Sequence, residues 1–166
     1  MRHSNARDVW LLLGGMLVGW VVMIESHEFG HLIGGWVSGA TLVTVDLAPW
    51  RLPYSIHAPD PNPLVTLWAG PVLGVLVPVT TAMLLGHRFA WFLANFCLLA
   101  NGTYMAVGWF AGDAQLDSSR LLQNGTPAWL LGLYCFATIP LGYHRFRRDC
   151  IHLLSPAMND RSDDAI

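Results

Sequence analysis

Lysine is absent from this 166-residue chain, glutamate occurs only twice, and charged residues make up 12% of it. That is about half the share found in an ordinary soluble domain. Nine arginines against eleven acidic residues give a net charge of −2, which leaves no broad basic surface for nucleic acid. With 54% apolar or aromatic residues, the composition also excludes a disordered chain. Cys97, Cys135 and Cys150 show no paired spacing, so no disulfide framework is indicated; the first two lie in apolar runs and read as small buried hydrophobes. What the chain has in quantity is uninterrupted apolar sequence. Stretches 9–24, 61–86, 89–112 and 121–143 carry no charge, and a membrane helix needs about 20 apolar residues. These stretches predict an all-α polytopic membrane protein with about four transmembrane helices and the lipid bilayer as its surroundings.

The first span starts near Val9 and is expected to run through a polar patch to about Ser38, with Gly39 as its stop. Between residues 40 and 63, ATLVTVDLAPW alternates like a strand, and Pro49, Pro53, Pro59, Pro61 and Pro63 forbid a helix. A short strand or hairpin followed by an extended linker is expected there. Further spans are expected over 64–85, with Pro71 and Pro78 inside it, over 89–110, and over 127–143, opened by Pro127. Residues 1–145 thus form one membrane-embedded domain, and 146–166 read as a polar, disordered tail. Trp10, Trp20, Trp36, Trp50, Trp91, Trp109 and Trp129 mostly flank the spans, as interfacial anchors do.

His27-Glu28-Phe29-Gly30-His31 is an H-E-x-x-H sequence on the first helix. Residues four apart share one helical face, so both imidazoles can reach one zinc ion. Glu28, beside the first ligand, can then act as general base toward water activated by the ion. Both glutamates of the chain, Glu25 and Glu28, fall in this short stretch, and ionisable groups at membrane depth are costly enough to mark function. The plainer alternative is a buried polar network that holds helices together. A third ligand is expected from the polar break after the third span, where Asp113 and Asp117 lie. At about 1.5 Å per residue, His27 is about 27 Å beyond Val9 and Asp113 about 36 Å beyond Phe89, so parallel first and third spans bring both regions toward one membrane face. His57 in the proline-rich loop is a further candidate. Asn95 and Asn101, inside the third span, read as hydrogen-bonding partners of neighbouring helices.

Three segments, in order, resemble the site-2 protease family of intramembrane zinc metalloproteases. They are HEFGH followed by LIGGWVSG, AGPVLG at 69–74, and LDSSRLL at 116–122. The second is similar to the family's A-G-P-x-x-N, with Gly74 where asparagine is usual. The third is similar to L-D-G-G-R-[IL]-L, with Ser118 and Ser119 where glycines are usual. The resemblance implies a zinc endopeptidase acting on membrane-protein substrates, with His27, His31 and Asp117 as metal ligands and Glu28 as catalytic base. Asp113 stays open as the rival third ligand. Segment 40–56 also resembles the strand that pairs with an extended substrate in this family. No separate peptide-binding domain is visible, so substrate selection is expected from loop 40–63 or from a regulatory partner.

Two other readings stand beside this one: a catalytically inactive relative that binds a membrane protein or holds a metal, and a small transporter or channel subunit. The arginine distribution, seven on the side of the termini against Arg51 and Arg120 on the other, places the termini in the cytoplasm. The family resemblance implies the opposite orientation.

Overall fold

The computed structural model describes residues 6–154. Its elements are α1 (Ala6–Ser38), β1 (Leu42–Asp46), β2 (Tyr54–His57), α2 (Pro63–Leu85), α3 (Arg88–Ala111), α4 (Asp117–Gln123) and α5 (Ala128–Leu154). The chain is mostly helical, and α1, α2 and α3 are long and apolar enough to cross a membrane. Large apolar side chains lie outside and several polar ones inside. Leu84, Phe110, Trp36 and Phe136 point outward, while His27, Glu28, His31, Asn101 and Thr66 are buried. Small residues and polar contacts join the helices, a pattern common where helices associate in lipid.

Gly30 and Gly34 show how. A Cβ on Gly30 would strike the Ala69 carbonyl oxygen and sit 2.8 Å from Gly70 Cα, and one on Gly34 would strike Ala69 Cβ. Four residues apart, the two glycines let α1 lie against the backbone of α2, next to the His-Glu-His stretch. The prolines of α2 are accommodated as well. Pro78 cannot donate to the Gly74 carbonyl, and Ser26 Oγ of α1 reaches that oxygen at 3.5 Å.

Helices α3 and α5 run antiparallel: Gly102 packs on Thr138, Gly142 on Leu99, and Asn95 Nδ2 donates to Asp149 Oδ2 at 2.8 Å. Leu67, Met105, Leu121, Leu131 and Cys135 form one apolar core among α2, α3, α4 and α5; Met23, Ile24 and Cys97 form a smaller one between α1 and α3. Gly39 has a φ of 76°, a left-handed conformation that suits glycine at a helix end. Beyond it β1 and β2 pair antiparallel into a hairpin, tethered by Trp20 Nε1, which donates to the Pro49 carbonyl at 3.2 Å.

One element joins the expected order, and one expectation is corrected. The polar break holds a short helix, α4, because Asp117–Gln123 packs Ser118 and Leu121 inward. The helix expected to end at 143 continues to Leu154, so residues 146–154 are not a disordered tail; Phe146 and Asp149 pack on Phe92, Phe96 and Asn95 of α3. The rest of the expected tail, 155–166, lies outside the described residues.

Candidate metal centre

The fold brings His27, His31 and Asp117 together. His27 Nε2 lies 2.9 Å and His31 Nε2 3.3 Å from Asp117 Oδ2, and the two Nε2 atoms are 3.1 Å apart. All three residues are buried. Glu28 is buried beside them, with donor atoms of His27, Glu28 and His31 within 4.8 Å of one another. Ser55 Oγ of β2 donates to Glu28 Oε2 at 3.4 Å, so the hairpin rests above the carboxylate.

The far side of each ring fixes what the near side presents. His31 Nδ1 lies 2.9 Å from the Thr66 carbonyl oxygen, which can only accept, so Nδ1 carries the proton. His27 Nδ1 lies 3.2 Å from Asn101 Oδ1. The Asn101 amide is itself oriented, because its Nδ2 donates to the Pro71 carbonyl at 3.3 Å. Tyr134 Oη donates to that same carbonyl at 2.8 Å. Asn101 therefore accepts from His27, and His27 Nδ1 is the protonated nitrogen. In the neutral rings both Nε2 atoms are then bare lone pairs, facing each other and a carboxylate oxygen. Such a triangle is repulsive unless a cation, shared protons or a metal ion, sits among its corners.

The triangle fits a metal. For an ion of zinc's size, ligand distances of about 2.0–2.1 Å put tetrahedral donor atoms about 3.3–3.4 Å apart; the 3.3 Å edge from His31 to Asp117 meets that value and the 2.9 and 3.1 Å edges are a few tenths of an ångström shorter. The supporting shell matches as well, since metal-bound imidazoles usually donate their second N–H to a carbonyl or carboxylate. Tyr104 Oη donates to Asp117 Oδ2 at 3.3 Å and its ring lies edge-on to His27. In the metal-free, protonated form of the triangle, burial by itself raises the Asp117 carboxyl, but the charged imidazoles of His31 and His27 outweigh it and hold the group below the usual carboxylate range.

Asp113 is not part of the cluster. It is exposed, and its Oδ1 accepts from the Gln115 amide at 2.9 Å in the turn before α4. His57 packs its ring over Gly35 and stands outside the converging donors; partial burial lowers its imidazole below the ordinary value. Tyr104 and Ser55 are the members that sequence reasoning missed; Asn101 was expected to hydrogen-bond to neighbouring helices, and it does. For Asn101 the signal was an asparagine inside an apolar helix, whose partner the sequence did not name.

A cavity of about 430 Å³ opens onto His27 and Glu28, walled by Trp20, Met23 and Ile24 and roofed by Pro49–Pro53 of the hairpin loop. It offers a mostly apolar approach to the buried carboxylate. No family model matches the chain, and neither a curated protein nor a solved structure matches it.

Proposed function

We propose that this chain is an intramembrane zinc endopeptidase of the site-2 protease type, hydrolysing peptide bonds in or near transmembrane segments of membrane-protein substrates. The observation that carries the reading is the convergence of His27 Nε2, His31 Nε2 and Asp117 Oδ2 beside a buried glutamate. A glue of polar side chains needs neither three bare acceptors in one place nor a carboxylate beside them.

His27, His31 and Asp117 hold the ion, and Asp113 has no part in it. When bound, zinc supplies Lewis acidity toward a carbonyl oxygen and toward water. Glu28 accepts the proton of the attacking water and delivers it to the departing amine. Ser55 of the hairpin donates to the Glu28 carboxylate and helps hold it in place. The substrate enters along the apolar cavity under Pro49–Pro53 and is held extended against the hairpin, because a helical peptide keeps its carbonyls engaged. The fourth span is α5: it lies beside α3 from Gly132, near Trp109, to Asp149 at Asn95, so it crosses wherever α3 crosses.

The test is a pair of variants. Glu28→Gln is expected to retain one zinc per chain and to lose cleavage of a reconstituted transmembrane substrate by at least about a hundredfold. His27→Ala is expected to lose both. The second reading, an inactive metal-holding relative, is favoured by Ser118, which is buried and donates to the Met105 carbonyl at 2.6 Å, an anchoring role rather than a catalytic one. Zinc binding with no cleavage of any transmembrane substrate would support it; absence of metal from folded protein would overturn both.

A further inference from the structure

Far from the metal-type cluster, a cavity of about 700 Å³ opens between the start of α1, the start of α3 and the last turns of α5. Arg88 reaches it from α3, and Arg145 and Arg148 from α5. Asp149 is the one carboxylate in its wall, and it is engaged by Asn95. Among the described residues, none of the three arginines lies within ion-pair distance of a carboxylate. Three positive charges thus share one cavity with a single carboxylate, and the cavity keeps a net positive charge.

The rest of the wall is of another kind. Leu11, Phe89 and Phe92 line it, and the Arg145 guanidinium sits 5.8 Å from the centroid of Trp91. At about 1.5 Å per residue, Arg145 and Arg148 lie about 26 and 30 Å along α5 from Ala128, and Arg88 is the first residue of α3. With a hydrocarbon core about 30 Å thick, all three fall at one boundary of the bilayer. Cations and apolar walls in one cavity match an amphipathic anion. A small inorganic anion would leave the Leu11, Phe89 and Phe92 wall unused.

We propose that this cavity binds the headgroup of an anionic glycerophospholipid. Its phosphate lies among Arg88, Arg145 and Arg148, whose guanidinium forks match phosphate oxygens, and an acyl chain lies along Leu11, Phe89 and Phe92. Basic pockets between transmembrane helices recognise lipid headgroups in this way. The site is independent of the protease reading, since it shares no residue with the metal-type cluster.

The experiment is native mass spectrometry of the intact chain in detergent, titrated with phosphatidylglycerol or phosphatidylcholine of matched acyl chains. One phosphatidylglycerol is expected per chain, at a concentration at least about tenfold below that for phosphatidylcholine, with millimolar inorganic phosphate unable to displace it. The Arg145→Gln/Arg148→Gln chain is expected to bind phosphatidylglycerol about thirtyfold more weakly. If that double variant fails to fold, Arg88→Gln alone is expected to weaken binding about fivefold. Equal binding of the two lipids, displacement by inorganic phosphate, or unchanged binding in the folded variants would overturn the proposal. So would binding that appears only after Asp160, Asp163 and Asp164 are changed to asparagine, which would make the acidic C-terminal residues the occupant.

Discussion

Asn101→Leu isolates the claim that a neighbouring helix sets the His27 tautomer. Leucine keeps the side-chain volume but can neither accept from His27 Nδ1 nor donate to the Pro71 carbonyl, the two contacts made at 3.2 and 3.3 Å. A buried N–H left without an acceptor costs about 1–3 kcal/mol. His27 can escape that cost by moving its proton to Nε2, which removes a lone pair from the triangle. Loss of such a supporting contact lowers metal affinity about 10–100-fold. Tyr134→Phe is the matched control: it removes the other donor to Pro71, at 2.8 Å, and leaves the imidazole alone. Its expected effect is a stability loss of about 0.5–1.5 kcal/mol with zinc affinity unchanged. The assay is competition for zinc against a chromophoric chelator in detergent, with thermal unfolding recorded alongside. Equal zinc affinities for Asn101→Leu and Tyr134→Phe would refute the tautomer argument.

Three further outcomes are expected. Gly30→Ala drives a methyl group into the α2 backbone at Ala69 and Gly70, so unfolding in detergent should show a loss of at least about 1–3 kcal/mol; a wild-type melting temperature would mean the helices are not packed as described. Asp117→Ala should abolish stoichiometric zinc binding while Asp113→Ala binds as wild type, and the reverse pattern would assign the ligand to the exposed turn. Trp20→Phe removes the Nε1 donor to Pro49, at a cost of about 0.5–1.5 kcal/mol; amide exchange over Trp50–Leu52 should quicken severalfold, and unchanged exchange would show that this tether does not hold the loop.

Much of the site could be read from spacing alone, because the i, i+4 relation of His27 and His31 is a property of one helix. The limits of α1, α2 and α3 were also largely legible, since Gly39, the proline run and the ends of the charge-free stretches 61–86 and 89–112 are local signals. Contacts between helices were not. Asn101 serves His27 only because Gly74 of α2 has no side chain: a Cβ there would strike Asn101 Nδ2, and nothing local in either helix announces that fit. Which of Asp113 and Asp117 lies beside the imidazoles could not be read from spacing for a similar reason, although the LDSSRLL resemblance pointed to Asp117. The two are four residues apart, and what separates them is that α4 begins at Asp117 and turns its first residue toward α1, leaving Asp113 in the preceding turn. The length of α5 was misread because Arg145, Arg147 and Arg148 resemble the end of a span, whereas Phe146 and Asp149 carry the helix onward against α3.

Arg51 and Arg120 were counted as a minority on the side of the site. Arg51 now has a local partner, with Nη2 2.6 Å from Asp46 Oδ2 within the hairpin. It is held there by that contact, and its weight in an orientation argument falls accordingly.

Three lone pairs converge where a cation is needed between them, and the most direct measurement is the metal content of the folded, detergent-purified chain by plasma mass spectrometry. The prediction is close to one zinc per wild-type chain, and none in a folded His27→Ala/His31→Ala chain. Wild-type protein that stays folded and metal-free after incubation with zinc, or a double variant that keeps its metal, would contradict it.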